Sequence, residues 1–173
     1  MNPLKIKGNL ETSTNIAVLL VALVFLVTVT QKFLSTGLPE IQVSDGLKTG
    51  LRLPVVPNIN FADSPSTVVI AMSTHCRFCT ESISFYKKIA ASQRTQFPGS
   101  RVIAIFPEAA QDVRLYMQQN QLDIQSVPAV DLAALNVAGT PTVMFVDNAG
   151  KVVNFWTGKL TPEAERLVLN TMS

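Results

Sequence analysis

The chain of 173 residues is poor in the side chains that most often carry redox or metal chemistry, with only two cysteines and one histidine. The two cysteines are close together in the run Cys76-Arg77-Phe78-Cys79. A disulfide that closes so small a ring removes little entropy from the unfolded chain, so it would stabilise the fold poorly. A structural zinc site needs four protein ligands, and only the two cysteines and His75 cluster here. The pair therefore indicates either reversible redox chemistry or binding of a metal ion.

The chain also lacks a large excess of charge of either sign. It has 14 basic and 12 acidic residues, and three of the basic residues and one acidic residue precede Leu38. The rest of the chain is therefore formally neutral. It contains no basic stripe, which argues against nucleic acid as a partner. A neutral domain also exerts no long-range attraction on a charged partner.

One long apolar run lies near the N-terminus. Residues 16–30 contain no charged residue, no glycine and no proline. The usable window of residues 13–34 approaches the length of about 20 residues that a bilayer requires. We expect an uncleaved transmembrane anchor at residues 14–34, and a cleaved signal peptide is the alternative.

The charges around this run indicate its orientation. Lys5 and Lys7 precede the run, which favours a cytoplasmic N-terminus, at residues 1–13, and an exported remainder. Residues 35–49 are polar and are expected to form a tether. The domain at residues 50–173 is then expected outside the cytoplasmic membrane, attached to it by a single pass.

Beyond the tether, short apolar runs typical of strands alternate with apolar residues at helical spacing. The predicted strands are 67–72, 101–106, 142–146 and 152–157, and the predicted helices are 78–91, 109–119 and one that starts at 161. This order predicts an α/β fold whose first two strands are parallel and whose last two form an antiparallel hairpin. The cysteine pair follows the first buried strand and lies at the N-terminus of the first helix.

That position suits a nucleophilic thiol. The thiolate attacks a disulfide, and the unpaired N–H groups at a helix N-terminus favour the thiolate form. Cys76 is best placed to be the nucleophile, and Cys79, one turn further on, can resolve a mixed disulfide. The positive charge of Arg77 favours the thiolate further, and His75 would do the same if protonated; the alternative for His75 is a solvated loop residue.

A second feature is the run Gly139-Thr140-Pro141-Thr142, which enters a predicted strand. Proline removes a hydrogen-bond donor from a sheet, and the local sequence leaves both isomers of the bond before it open. The order of these features resembles the thioredoxin-like pattern. A strand, a CxxC pair and a helix come first, and Thr-Pro follows before an apolar strand. Over about residues 50–173 the chain is most similar to the membrane-tethered thiol–disulfide oxidoreductases of the bacterial cell envelope.

The resemblance implies a thioredoxin-like fold, in which helices flank a central mixed sheet. It implies that Cys76 is the nucleophile and Cys79 the resolving thiol. It also implies that Pro141 is cis and packs against the disulfide, while Thr140 contacts the substrate chain. The implied activity is that of a protein-disulfide oxidoreductase whose substrates are protein thiols and disulfides. A membrane electron-transfer partner would complete the cycle, and the redox-active disulfide itself takes the place of a cofactor.

The chain departs from thioredoxin at several positions. His75 stands where thioredoxin has tryptophan, and Arg77-Phe78 stand where it has Gly-Pro. Ile70 occupies the position of the buried aspartate that accepts the proton of the resolving thiol. Glu81 is a possible substitute, although a first-turn acid that faces solvent is the simpler interpretation. Phe78 lies between the cysteines and is expected to be exposed and to contact partner proteins.

Two other functions would use the same residues. Cys76, Cys79 and His75 could hold Cu(I), which accepts soft ligands, in a metallochaperone-like domain. A thiol peroxidase is the second alternative; Ser73 fits its pattern, but Val69 stands where that family needs proline. The redox direction also stays open, since CxxC proteins span about −270 to −120 mV.

Overall fold

The computed structural model describes residues 46–172 of the chain. The anchor expected at residues 14–34, the segment 1–13 and most of the tether lie outside these residues. Within 46–172, no helix combines the length and apolar character that crossing a membrane requires.

Strands and helices follow one another in the predicted order. The strands are β1 (Ser66–Ala71), β2 (Arg101–Ile105), β3 (Gln125–Val127), β4 (Thr142–Asp147) and β5 (Val152–Thr157). The helices are α1 (Arg77–Glu81), α2 (Ile83–Thr95), α3 (Ala110–Gln119) and α4 (Pro162–Thr171), and a short 3-10 turn spans Phe61–Asp63. The four predicted strands are all present, and their ends differ from the prediction by no more than one residue.

The strands form one mixed sheet in the order β3-β2-β1-β4-β5. β1 pairs with β2 in parallel, and β2 with β3, whereas β4 pairs with both β1 and β5 in antiparallel fashion. The parallel first half and the antiparallel hairpin that the sequence predicts are therefore confirmed. β1 lies in the middle of the sheet, where both of its edges are hydrogen-bonded.

Both faces of the sheet are covered, which explains the continuous apolar run in β1. Val68 and Ile70 belong to the hydrophobic cluster on one face, and Val69 and Ala71 belong to the cluster on the other. Cys79 is part of the same cluster as Ile70. The resolving thiol is therefore built into the apolar core on one side of the sheet.

The helix predicted at residues 78–91 is two helices, α1 and α2, which are separated at Ser82. The Ser82 hydroxyl donates a hydrogen bond to the Phe78 carbonyl oxygen at 2.8 Å. A serine side chain that bonds to the backbone in this way competes with the regular helical pattern. The break confines the cysteine pair to the first, short helix.

Two further elements differ from the prediction. β3 was not predicted, because it is three residues long at the edge of the sheet and only Val127 of its residues is buried. Packing contacts of the domain also extend ahead of residue 50, where the sequence places its start. Leu47 is buried, and its N–H donates to the Asn136 carbonyl oxygen at 2.8 Å.

The sheet brings three loops to one edge. Ala71 at the end of β1 is in register with Ile105 at the end of β2 and with Thr142 at the start of β4. Three segments therefore meet at this edge: the one that leads to Cys76, the one that follows β2 and the one that ends at Pro141. This edge holds the candidate active site.

Candidate active site

Cys76 is the N-cap residue of α1 and is partly exposed. Its backbone N–H donates to the Ser73 carbonyl oxygen at 3.2 Å. Its Sγ accepts a hydrogen bond from the N–H of Cys79 at 3.1 Å. The sulfur thus takes the place of the side-chain oxygen that usually caps a helix. A thiolate at this position is stabilised by that N–H group, as the sequence predicts for the nucleophile.

Cys79 is completely buried, and both cysteines are free thiols. Burial, followed by the hydrogen bond with Cys76, raises the pKa of Cys79 to about 12. The N–H of Ser73 and the side chain of Thr140 act in the opposite direction and favour the thiolate. Cys79 therefore keeps its proton at neutral pH, and Cys76 is the thiol that a large partner can reach.

The Thr140–Pro141 peptide bond is cis, as the resemblance implies. The Thr140 carbonyl oxygen accepts a hydrogen bond from the Cys76 thiol at 3.3 Å. Pro141 is buried, and its carbonyl oxygen accepts from the N–H of Gly158 at 2.7 Å. The Thr142 hydroxyl donates to the Gly139 carbonyl oxygen at 2.7 Å. These bonds hold the backbone of residue 140 against the nucleophilic sulfur.

Glu81 does not lie beneath the cysteine pair but at the surface, with two cations. Arg77 Nε donates to its Oε1 and Lys159 Nζ to its Oε2, each at 2.7 Å. Lys159 first, and Arg77 second, hold the pKa of Glu81 below its ordinary value. The carboxylate is therefore ionised and bound to its partners, which fits the solvent-facing interpretation rather than a base for Cys79. Lys159 was not predicted as a site residue.

In the described part of the chain, no buried acid near Cys79 replaces the aspartate that thioredoxin has at the position of Ile70. Among residues 46–172, no aspartate or glutamate is fully buried, and Ile70 lies in the core beside Cys79. Tyr86 has a buried hydroxyl without a hydrogen-bond partner, and the Tyr116 hydroxyl lies 3.1 Å from that of Thr80. Burial raises the pKa of both tyrosines. The environment of the resolving thiol is therefore apolar with a few neutral hydroxyls.

A carboxylate that the sequence reasoning missed lies on the other side of the nucleophile. Glu108 follows β2, and its side chain is only 12% exposed. Its Oε1 accepts from the Ser73 hydroxyl at 2.5 Å and from the N–H of Thr74 at 3.1 Å. The Nδ1 of His75, an exposed residue, lies 3.4 Å from the same oxygen. The sequence could have indicated that Glu108 lies near this segment through the predicted topology, because the carboxyl ends of parallel neighbouring strands such as β1 and β2 lie side by side.

Phe78 is 53% exposed, which confirms the predicted exposure of a residue between the two cysteines. Phe85 and Tyr86, in contrast, are core residues, and Phe145 packs edge-on against Trp156. An apolar ring thus lies at the surface beside the nucleophilic sulfur.

The residues that flank Cys76, namely His75, Arg77 and Phe78, are all exposed to solvent. A cavity of the domain is lined by Ser66, Asp147 and Met172, at the opposite end of β1. In the part of the chain that the structure describes, no group of three or more His, Cys, Asp or Glu residues is arranged to hold a metal ion. The arrangement can therefore present a nucleophilic thiol to a partner that approaches from outside.

Comparison with known proteins gives a match at the level of structure alone. No protein-family model matches the chain. No curated protein has a significantly similar sequence. The structure is similar to the thioredoxin domain of a thiol-disulfide oxidoreductase from Bacteroides vulgatus, with 16% identity, a TM-score of 0.59, and coverage of 74% of this chain and 100% of that one.

Two other solved structures have similar scores. One is a thiol:disulfide interchange protein from Bacteroides sp., with 16% identity, a TM-score of 0.57, and coverage of 73% and 91% of the two chains. The other is a secreted disulfide oxidoreductase from Mycobacterium tuberculosis homologous to E. coli DsbE, with 16% identity, a TM-score of 0.53, and coverage of 72% and 93%. Together with the sheet order, the helices and the cis bond before Pro141, these matches show that the chain has the thioredoxin-like fold.

Proposed function

We propose that the protein is a thiol–disulfide oxidoreductase that acts on the cysteines of other proteins. One observation carries the proposal: the sulfur of the partly exposed Cys76 caps α1 beside the Thr140 carbonyl oxygen, and a second thiol, Cys79, is buried next to it. The solved structures with this fold, one named as a thiol-disulfide oxidoreductase and one as a disulfide oxidoreductase, support the same activity.

The reaction follows from the two environments. The thiolate of Cys76 attacks one sulfur of a substrate disulfide, and the other substrate sulfur leaves as a thiolate. The mixed disulfide that results joins Cys76 to the substrate. Cys79 then loses its proton and attacks Cys76, which releases the second substrate sulfur and leaves a Cys76–Cys79 disulfide. Two electrons pass to the substrate, and the reverse sequence oxidises a substrate dithiol.

The shape of the site favours protein substrates over small molecules. A small-molecule site is usually a cleft that buries most of its ligand, whereas His75, Arg77 and Phe78 around Cys76 are exposed to solvent. Phe78 gives this surface an apolar contact, and Thr140 gives it a backbone carbonyl group. An extended chain that carries a cysteine can use both.

We place this activity on the outer side of the cytoplasmic membrane, with residues 14–34 as the anchor. The apolar run and the lysines that precede it support this location, and so does the secreted relative. A membrane protein that exchanges electrons with the pair is the partner that such a cycle requires. A reporter that is active only after export, fused after Ser173, should be active; activity of a cytoplasmic reporter instead would contradict the orientation.

The reaction can be followed with the full-length protein in detergent and an aromatic disulfide reagent that releases a coloured thiolate at each step. The reduced wild-type protein should release two equivalents, because both cysteines react in turn. The Cys79→Ala variant should release one equivalent and stay covalently bound to the reagent. The Cys76→Ser variant should react only at background rate. Release at the wild-type rate by Cys76→Ser protein would contradict the proposed function.

A further inference from the structure

Thr142, the first residue of β4, has a buried side chain although it is polar. Its hydroxyl donates a hydrogen bond to the carbonyl oxygen of Gly139, three residues earlier, at 2.7 Å. A buried hydroxyl without a partner is unfavourable, so this bond offsets the cost of burying it. The bond closes a loop of backbone that contains Thr140, whose carbonyl oxygen accepts from the Cys76 thiol.

A second hydroxyl determines the direction in which the Thr142 hydroxyl donates. Thr157, which is in register with Thr142 on β5, has its Oγ1 3.3 Å from that of Thr142. A hydroxyl has a single proton, and the Gly139 carbonyl oxygen can only accept. The Thr142 proton therefore lies toward Gly139, and the exposed Thr157 hydroxyl donates to the Thr142 oxygen. Side chains of both strands of the hairpin are thus linked to the backbone of residue 139.

The backbone on the other side of Thr140 is also anchored. The Pro141 carbonyl oxygen accepts from the N–H of Gly158 at 2.7 Å. Thr140 therefore lies between two anchored carbonyl groups, those of Gly139 and Pro141. Its own carbonyl oxygen, which lies 3.3 Å from the Cys76 sulfur, has two lone pairs and can accept a bond from a substrate. Displacement of the Gly139 carbonyl group would move this oxygen, because a single planar peptide unit connects the two residues.

We propose that Thr142 is a positioning residue for substrate binding, whose hydroxyl fixes the backbone of residues 139 and 140 so that the Thr140 carbonyl oxygen accepts a hydrogen bond from the substrate chain. The inference rests on the proposed function and concerns its first step, in which Cys76 becomes joined to the substrate. In that step the Cys76 thiolate displaces one substrate sulfur while the substrate backbone docks against Thr140. Thr142 contributes to the docking and not to the exchange of sulfurs.

Two other roles for the Thr142 hydroxyl would give different results. If it only stabilised the fold, its loss should lower the unfolding midpoint and change the reactions with large and small disulfides equally. If it were dispensable, neither reaction should change. In the positioning role, its loss should affect only substrates that present a backbone to Thr140. Serine should then substitute for threonine, because it keeps the hydroxyl.

The test compares two disulfides that release the same coloured thiolate from the full-length protein in detergent. One is the aromatic disulfide reagent. The other is an unstructured peptide whose single cysteine carries one half of that reagent in a mixed disulfide. Cys76 attacks the peptide sulfur, the aromatic thiolate leaves because its pKa is the lower one, and the peptide stays bound to Cys76. The ratio of the two rate constants therefore reports the contribution of the peptide backbone.

We expect Thr142→Val to slow the first release from the peptide about three- to tenfold, as loss of a well-placed hydrogen bond does. The rate with the aromatic reagent should stay within about twofold of wild type, because that reagent has no backbone N–H to donate. Thr142→Ser should keep the peptide rate within about twofold of wild type. The matched control is Thr67→Val, since the Thr67 hydroxyl is buried in β1 and has no hydrogen-bond partner among the described residues. Equal slowing with both disulfides, or a Thr142→Ser variant as slow as Thr142→Val, would overturn the proposal.

A modified peptide tests the connection to the substrate backbone directly. Methyl groups on the backbone nitrogens of its cysteine and of both neighbours remove the donors that could bond to Thr140. The wild-type protein should react with this peptide about three- to tenfold more slowly than with the unmodified one. Thr142→Val should add no further loss, because both changes break the same connection. An equal effect of Thr142→Val on the two peptides would overturn the proposal.

NMR of the carbonyl carbons keeps the inference testable apart from the redox activity. The signals of Gly139 and Thr140 should shift in Thr142→Val much more than in Thr142→Ser or Thr67→Val. An unchanged Thr140 signal in Thr142→Val would overturn the positioning role even if the protein were an active oxidoreductase. A wild-type protein that never releases the second equivalent from the aromatic reagent, with both signals shifted in Thr142→Val, would contradict the proposed function but not the position that Thr142 gives to Thr140.

Discussion

The thiol of Cys76 donates a hydrogen bond to the carbonyl oxygen of Thr140, 3.3 Å away, across a separation of 64 residues in sequence. The bond needs the proton on the sulfur. When Cys76 becomes a thiolate or enters a disulfide, it can no longer donate, and the carbonyl oxygen becomes free to accept from another group. The backbone N–H of a bound substrate chain is the natural donor. Formation of the mixed disulfide and docking of the substrate backbone are therefore coupled at this oxygen.

The pH dependence of the second reaction step follows from the environment of Cys79. Burial is the main reason why the pKa of this thiol is raised to about 12. We expect the thiol to stay buried when Cys76 is in a mixed disulfide. Below its pKa the fraction of thiolate rises tenfold per pH unit, so the second release should accelerate about tenfold per unit between about pH 7 and 9. Stopped-flow measurements of the two releases check this. A second release that levels off below about pH 8 would show that another group removes the proton.

The stability of the reduced protein should also depend on the protonation of Cys79. Its pKa of about 12 in the folded state lies above the ordinary value of 9.0 for an accessible thiol, so the folded state retains a proton that the unfolded chain loses. Stability is then fully present below about pH 9 and falls as the pH rises toward 12, by at most about 1.4 kcal/mol per unit. Urea titrations of the reduced protein at increasing pH should show this loss. The oxidised protein, which has no thiol to ionise, is the control and should lose less.

Replacing Ile70 by aspartate tests whether a buried acid on β1 can assist Cys79. Ile70 is fully buried in the cluster that contains Cys79. We expect Ile70→Asp to reduce the free energy of unfolding by about 3–5 kcal/mol, because it buries a carboxyl group without a partner. The same variant should accelerate the second release at neutral pH by accepting the Cys79 proton. Ile70→Asn has the same shape but cannot accept a proton, so an equal acceleration in that variant would refute the explanation.

The charge balance beside Cys76 should influence the first step. Glu81 neutralises Arg77 and Lys159 in part, so Glu81→Gln leaves two cations near the nucleophile. We expect the first release with an anionic reagent to become about two- to threefold faster at low salt, and the gain to disappear near 1 M salt, where screening reaches about 3 Å. Glu163→Gln removes an exposed carboxylate elsewhere and should have no such effect. A gain that persists at high salt would indicate a structural cause instead.

Phe78 should contribute to substrate binding rather than to the chemistry. Its ring is half exposed beside the cysteines, and its only described polar role is the backbone carbonyl that accepts from Ser82. Phe78→Ala should raise KM for a disulfide-bonded protein substrate about three- to tenfold, as loss of an exposed aromatic contact does. The rate with the small aromatic reagent should change little. Leu167→Ala, at another exposed apolar position, is the control; an equal rise in KM there would contradict the assignment.

The sequence predicted most of what depends on local patterns. Three patterns predicted the fold and the environments of the cysteines. They are the apolar run at β1, the helical spacing after Cys76 and the Thr140-Pro141 run before β4. The break at Ser82 was not predicted, because apolar spacing continues through it and only the hydroxyl bond to Phe78 interrupts the helix.

The parts that were missed depend on contacts between distant segments. Glu108 looks like an ordinary loop acid until the register of β1 and β2 brings it beside Ser73. Lys159 reaches Glu81 from the segment after β5, which no local pattern indicates. The surface position of Glu81 was one of two interpretations, and its hydrogen bonds to Arg77 and Lys159 favour it. Contacts between distant segments, rather than residue type, determined the positions of Glu108 and Lys159.

The segment around Gly50 has a practical consequence for work with an isolated domain. Gly50 N–H donates to the Val152 carbonyl oxygen at 2.7 Å, and the Leu51 carbonyl oxygen accepts from Val152 N–H at 2.8 Å. This backbone covers the start of β5, an outer strand whose unpaired groups would otherwise invite association with another chain. A soluble fragment that begins at residue 50 would keep Gly50 and Leu51 but lose the buried side chain of Leu47. Fragments should therefore begin ahead of Leu47, and those cut later should aggregate more readily.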